Sequence, residues 1–107
     1  MKYFAVTRER GPAWNVSISM RQQKRFAEHA AFMDRLAEEG FIVLGGPLGY
    51  EAELKFSRAL FLVRAESESA IEMRLDADPY TAMGMLRVTK IEPWQILLGN
   101  ERLNFTG

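Results

Sequence analysis

The chain has one histidine, His29, on the apolar side of its longest amphipathic stretch, and Asp78, opening the run Asp78-Pro79-Tyr80, can supply a carboxylate to meet it. An imidazole is the side chain whose unperturbed pKa lies nearest neutrality, so a half-buried histidine beside an acid is suited to moving protons. In that reading His29 is a general base, and Asp78 fixes its tautomer and stabilises the imidazolium as the proton arrives. The competing reading makes His29 a structural residue, hydrogen-bonded in the core. Asp78 has a structural reading too, because Asp before Pro at a helix start is a favoured capping arrangement. Both roles are compatible: one carboxylate oxygen can accept backbone amides while the other accepts an imidazole N–H.

Other side chains qualify as substrate contacts. The Tyr80 hydroxyl can donate to a developing oxyanion, or its ring can simply pack. Trp14, in a Gly-Pro loop, suits either a lid over an apolar ligand or a contact between subunits. Met33 shares the helix face of His29, and with Met73, Met83 and Met85 it fits a soft ligand surface or the filling of gaps in a small core. Trp94 reads as core or interface. With one histidine and no cysteine, a metal site is disfavoured. Gly45, Gly46 and Gly49 match neither a dinucleotide fingerprint nor a P-loop, so no cofactor is expected.

These residues need elements to hold them. Lys2 to Arg8 alternates as a strand, followed by a loop with Gly11, Pro12 and Asn15. Ser19 and Gln22 have capping-box spacing, which predicts a helix from about Met20 to Glu39. Phe26, Ala30, Met33, Leu36 and Ala37 share its apolar face, with Gly40 as its positive-φ stop. Phe41 to Leu44 is a short apolar run fit for a buried strand, which Gly45-Gly46-Pro47 should end. Gly49 to Ser57 then connects it as a hairpin to a strand from Arg58 to Arg64. Ser67 or Ser69 can cap a second helix reaching about Ala77, its covered side marked by Ala70, Ile71, Arg74 and Leu75, and Asp78-Pro79 restarts a helical turn. A long strand from Met85 to about Leu98 closes the pattern, with Leu86, Val88, Lys90, Glu92, Trp94, Ile96 and Leu98 on one face. Pro93 argues for an edge or a bulge near its middle. The segment from Gly99 to Gly107 has no assignment, so the domain is expected to span 1–98 with 99–107 as a tail.

The order is βαββαβ, an α+β ferredoxin-like arrangement with helices on one side of an antiparallel sheet. In a chain of 107 residues the other sheet face is expected to find cover in a second copy. The 14 basic and 14 acidic residues cancel without blocks of either sign, which argues against nucleic acid as a partner. No stretch approaches the roughly 20 apolar residues that span a bilayer, and no signal-peptide pattern opens the chain, so a cytoplasmic protein is expected.

The order of His29, Phe32, Leu36, Gly40, Gly45-Gly46-Pro47, Asp78-Pro79-Tyr80, Gly84 and Glu92-Pro93-Trp94 resembles the YCII-related (YciI-like) family, over about Lys2 to Leu98. The resemblance implies a dimeric α+β barrel of ferredoxin-like subunits with a cleft in which His29 and Asp78 form a catalytic dyad. Some members resemble muconolactone isomerases in fold, and one from a chloroaromatic pathway performs dehydrochlorination. Proton abstraction from a small cyclic or carbonyl compound is thus the chemistry implied. The chain departs from the shortest members in its longer Trp14 loop and the stretch Gly49 to Ser57. Two functions are carried forward. One is a cofactor-independent proton-transfer enzyme of isomerase, lyase or hydrolase type acting on a small organic molecule, and the other is a noncatalytic metabolite-binding or dimerisation module.

Overall fold

Period-two alternation builds the first strand, β1 (Lys2–Arg10): Phe4, Val6 and Arg8 are buried, while the residues between them stay partly exposed. The computed structural model describes residues 1–103. After β1 come α1 (Phe26–Glu38), β2 (Ile42–Pro47), β3 (Arg58–Ala65), α2 (Glu68–Asp76), α3 (Pro79–Ala82) and β4 (Leu86–Pro93). The strands form one antiparallel sheet in the order β2-β3-β1-β4, so the fold is ferredoxin-like. Among the described residues, no helix is long and apolar enough to cross a membrane.

Phe4, Val6, Ile42, Val63 and Ala65 of the sheet meet Leu36 of α1 and Ile71 and Leu75 of α2 in the main core. A second apolar cluster joins Trp14, Phe56, Ala59, Tyr80, Met85 and Leu86. On the sheet's opposite face the pairing places Ala5, Thr7, Leu60, Leu62 and Leu44, the last of these 61% exposed.

Four expectations change. The helix expected from Met20 is interrupted: Met20–Gln22 is a 3₁₀ turn, Gln23 is extended, and Arg25 is left-handed at φ 58° before α1 begins. Gln23 is the cause. Its buried amide accepts from the Asn15 N–H at 3.1 Å and donates to the Asn15 carbonyl at 2.7 Å, stitching the Trp14 loop to the chain instead of continuing a helix. Gly45, Gly46 and Pro47 do not end β2 but form its second half, because β2 is an edge strand that tolerates a proline.

The closing strand stops at Pro93, well short of Leu98, though it does lie at a sheet edge. Its register slips opposite Thr7 and Arg8, so Leu86 and Val88 face the helices while Lys90 and Glu92 fall on the other side with Ile91 taking the inner place. Finally, Ala37 and Arg74 are exposed rather than covered, Met73 is exposed and fills no gap in the core, and Trp94, at 41% exposed, is not a core residue. Elsewhere the reading holds: Ser67 caps α2 by accepting the Ala70 N–H at 3.1 Å, and Gly40 stops α1 at φ +80°. Asn100–Leu103, within the unassigned tail, forms a 3₁₀ turn whose Leu103 carbonyl accepts from the Tyr3 hydroxyl at 3.3 Å. The rest of that tail, 104–107, lies outside the described residues.

Candidate active site

Asp78 is positioned by its own backbone. It sits at the N-cap of α3 with Pro79 in the first helical place, and its Oδ1 accepts the Tyr80 N–H at 2.9 Å. That leaves Oδ2 for tertiary partners. His29, on the first turn of α1, approaches with Nδ1 at 2.7 Å, and Arg8 from β1 donates its Nη1 N–H at 2.7 Å to the same oxygen. The Arg8 and Asp78 side chains are 0% exposed and that of His29 is 14% exposed. Arg8 also donates through Nη2 to Thr81 Oγ1 at 3.0 Å, and the Thr81 hydroxyl in turn donates to the Leu75 carbonyl at 2.7 Å. Arg8 Nε is the one buried side-chain nitrogen or oxygen without a hydrogen-bond partner among the described residues.

Burial works against the Asp78 charge, but hydrogen bonds from His29, Arg8 and the Tyr80 amide outweigh it and hold the carboxyl below its ordinary range. With the carboxylate occupying Nδ1, the imidazole presents Nε2 as its other ring nitrogen. Tyr80 lies flat against the His29 ring, with centroids 4.3 Å apart and planes within 3°. Burial and the Asp78 charge push the Tyr80 phenol up to about 12, so it remains a donor, and its proton goes to the Lys24 carbonyl at 2.9 Å. The break ahead of α1 is what frees that carbonyl. The oxyanion contact considered for Tyr80 therefore has a competitor inside the chain.

His29 opens onto a cavity of about 450 Å³, a size typical of small-molecule sites. Its walls include Arg8, Trp14, Phe26, Met33, Phe56, Phe61 and Tyr80, with Arg21, Asp34 and Glu53 adding charge. All five residues singled out from the sequence thus meet here: His29 and Asp78 in direct contact, and Trp14, Met33 and Tyr80 in the wall. Trp14 is buried, 8% exposed, with its ring 4.7 Å from that of Phe56 and edge-on to Tyr80. Gly45, Gly46 and Pro47 also line the cavity, so the stretch read as a turn borders the site. Arg8 is the residue that sequence reasoning missed. Its signal was present: with Phe4 and Val6 it occupies the inward positions of β1, and a charge in that row needs a buried partner.

Fold and site together define a small ferredoxin-like α+β protein whose helix-borne histidine and capped aspartate meet beside an aromatic cavity. The chain belongs to the YCII-related family: the family's model, the YCII-related domain, matches residues 1–95. Its fold is shared with 5-chloro-2-hydroxyhydroquinone dehydrochlorinase from Burkholderia phenoliruptrix AC1100, solved in complex with 2,5-dihydroxybenzoquinone. That similarity has a TM-score of 0.65 at 23% identity and covers 87% of this chain and 93% of the other. No curated protein sequence matches the chain.

Proposed function

We propose that this protein is a cytoplasmic, homodimeric enzyme that moves a proton on a small cyclic organic molecule, with His29 as general base and Asp78 as its partner. The carrying observation is the 2.7 Å contact of His29 Nδ1 with Asp78 Oδ2 at the wall of a cavity of about 450 Å³. Nε2 takes a proton from an acidic C–H of the substrate, and the C–H electron pair moves toward an adjacent carbonyl as an enolate. Returning the proton to another carbon gives isomerisation; loss of a leaving group with its electron pair gives elimination. Asp78 keeps Nδ1–H in place throughout and faces the positive charge that arrives on the ring. Trp14, Met33 and Tyr80 give the ring-shaped substrate its apolar bed, and no cofactor takes part. The structural neighbour's elimination of chloride from a hydroquinone supports this reaction class.

Residues 1–98 form the catalytic unit and 99–107 its tail. A second copy covers the sheet face bearing Leu44 and Leu60, making the dimeric barrel. A noncatalytic binding module remains the second reading, favoured by one observation: Arg8 already neutralises Asp78 without His29.

The test incubates the protein in D₂O with small cyclic ketones and hydroquinones, including 5-chloro-2-hydroxyhydroquinone, and follows deuterium uptake and chloride release. The wild type turns over at least one of them, and His29→Gln loses about a hundredfold or more of that rate. Ligand binding with equal, background exchange in both proteins would establish the binding module instead. Light scattering at twice the chain mass is the outcome expected for the dimer.

A further inference from the structure

We propose that Arg8 is the positioning residue of this site: its guanidinium fork aims the Asp78 carboxylate so that Oδ2 meets His29 Nδ1 and leaves Nε2 to a bound molecule. The proposal rests on the proton-transfer reading of His29. An N-cap aspartate needs only one oxygen for its cap, and the Tyr80 amide fixes Oδ1 alone. The direction of the second oxygen must be set from elsewhere. Arg8 sets it from β1, an interior strand paired on both sides, with Nη1 at 2.7 Å from Oδ2.

The fork has its own anchor. Nη2 reaches Thr81 Oγ1 at 3.0 Å, and the Thr81 hydroxyl is tied at 2.7 Å to the Leu75 carbonyl near the end of α2. A line of short hydrogen bonds therefore runs from the last turn of α2 through Thr81, Arg8 and Asp78 to the imidazole. A planar guanidinium with fixed donor directions can hold two acceptors this way; a lysine ammonium, with freely rotating donors, cannot hold direction as well.

Packing alone does not account for this residue. Phe4 and Val6 fill the neighbouring inward positions, and an apolar side chain would continue their row without burying a charge or leaving Nε unpartnered. Arg8 also sets the charge balance around the imidazole. Within the trio of Arg8, Asp78 and His29 the charges sum to zero while the imidazole is neutral, and the trio becomes cationic once His29 takes a proton. It then suits the enolate formed at that moment.

The test needs no substrate. The ¹⁵N resonances of the single imidazole are recorded on the full chain with the ring in its neutral form, in wild type, Arg8→Gln and Thr81→Val. Wild type holds its proton on Nδ1. Arg8→Gln shifts the ring toward the Nε2–H form, lowering the Nδ1–H to Nε2–H ratio by about tenfold, as expected when one hydrogen bond to a charged group is lost. Thr81→Val keeps the charge but removes the fork's anchor, and moves the ratio the same way by less; it carries the test if Arg8→Gln does not fold. A variant ring indistinguishable from wild type, or with more Nδ1–H, overturns the role of Arg8 and leaves the dyad standing. A wild-type ring with its proton on Nε2 overturns both.

Discussion

The His29 and Tyr80 rings lie parallel, 4.3 Å apart and tilted by 3°, with the tyrosine hydroxyl anchored on the Lys24 carbonyl just ahead of the helix that carries His29. The stack and the anchor bind the same two segments, so one residue fixes both the plane of the imidazole and the start of α1. Tyr80→Phe keeps the stack and loses the anchor. It should cost about 1 kcal/mol in urea unfolding while the imidazole resonances stay put. Tyr80→Leu should shift those resonances as well, and if it leaves them untouched the stack has no part in orienting the ring.

Asp78 variants separate the cap from the buried ion pair. Asp78→Asn keeps a capping oxygen but leaves Arg8 buried without a counter-charge. Asp78→Asn should lose about 3–5 kcal/mol, and Asp78→Ala about 1 kcal/mol more for the missing cap. Combining Asp78→Asn with Arg8→Met should recover most of the loss, because no charge is then stranded. Urea midpoints for the four proteins test this ordering directly.

Stability should fall at both ends of the pH scale for identifiable reasons. The Asp78 carboxyl is held below its ordinary value in the folded chain, so its contribution is complete above about pH 4, the unfolded value, and is lost as pH drops through the lower folded value. The Tyr80 phenol is pushed up to about 12, so the folded chain holds that proton more tightly. Its contribution is intact below about pH 10 and disappears as pH rises toward the folded value. Chemical unfolding across pH should show both limbs, the acid one flattened in Asp78→Asn and the alkaline one in Tyr80→Phe.

Gln23→Ala should loosen the Trp14 loop. The Gln23 amide bonds to Asn15 through both its oxygen and its nitrogen, and the loop places Trp14 against Phe56. In a Trp94→Phe background, Trp14 emission should move to longer wavelength, with about 1–3 kcal/mol of stability lost. Unchanged emission would mean that the aromatic cluster holds the loop without Gln23.

What could be read in advance follows how far each signal reaches along the chain. Asp78-Pro79 was legible as a helix start because capping is settled between neighbours, and the α2 cap on Ser67 likewise. The helix boundary at Phe26 was not legible, because Gln23 forgoes a helical turn for partners in a loop eight positions away. The strand role of Gly45-Gly46-Pro47 depends on β2 being an edge, a fact of sheet order that local composition does not carry. Arg8 was visible only through alternation, as a charge in an apolar row whose partner stands 70 positions on.

That separation governs when the site comes into being. Asp78 gathers groups lying 70 and 49 positions away, from β1 and from α1, and long loops of this kind close late in folding. A chain still emerging from the ribosome, or one with β1 undocked, has a histidine and an aspartate but no pair. The His29–Asp78 pair and the native state therefore arrive in one event. The Tyr80 amide, buried and held by the Asp78 cap, should therefore exchange slowly with solvent.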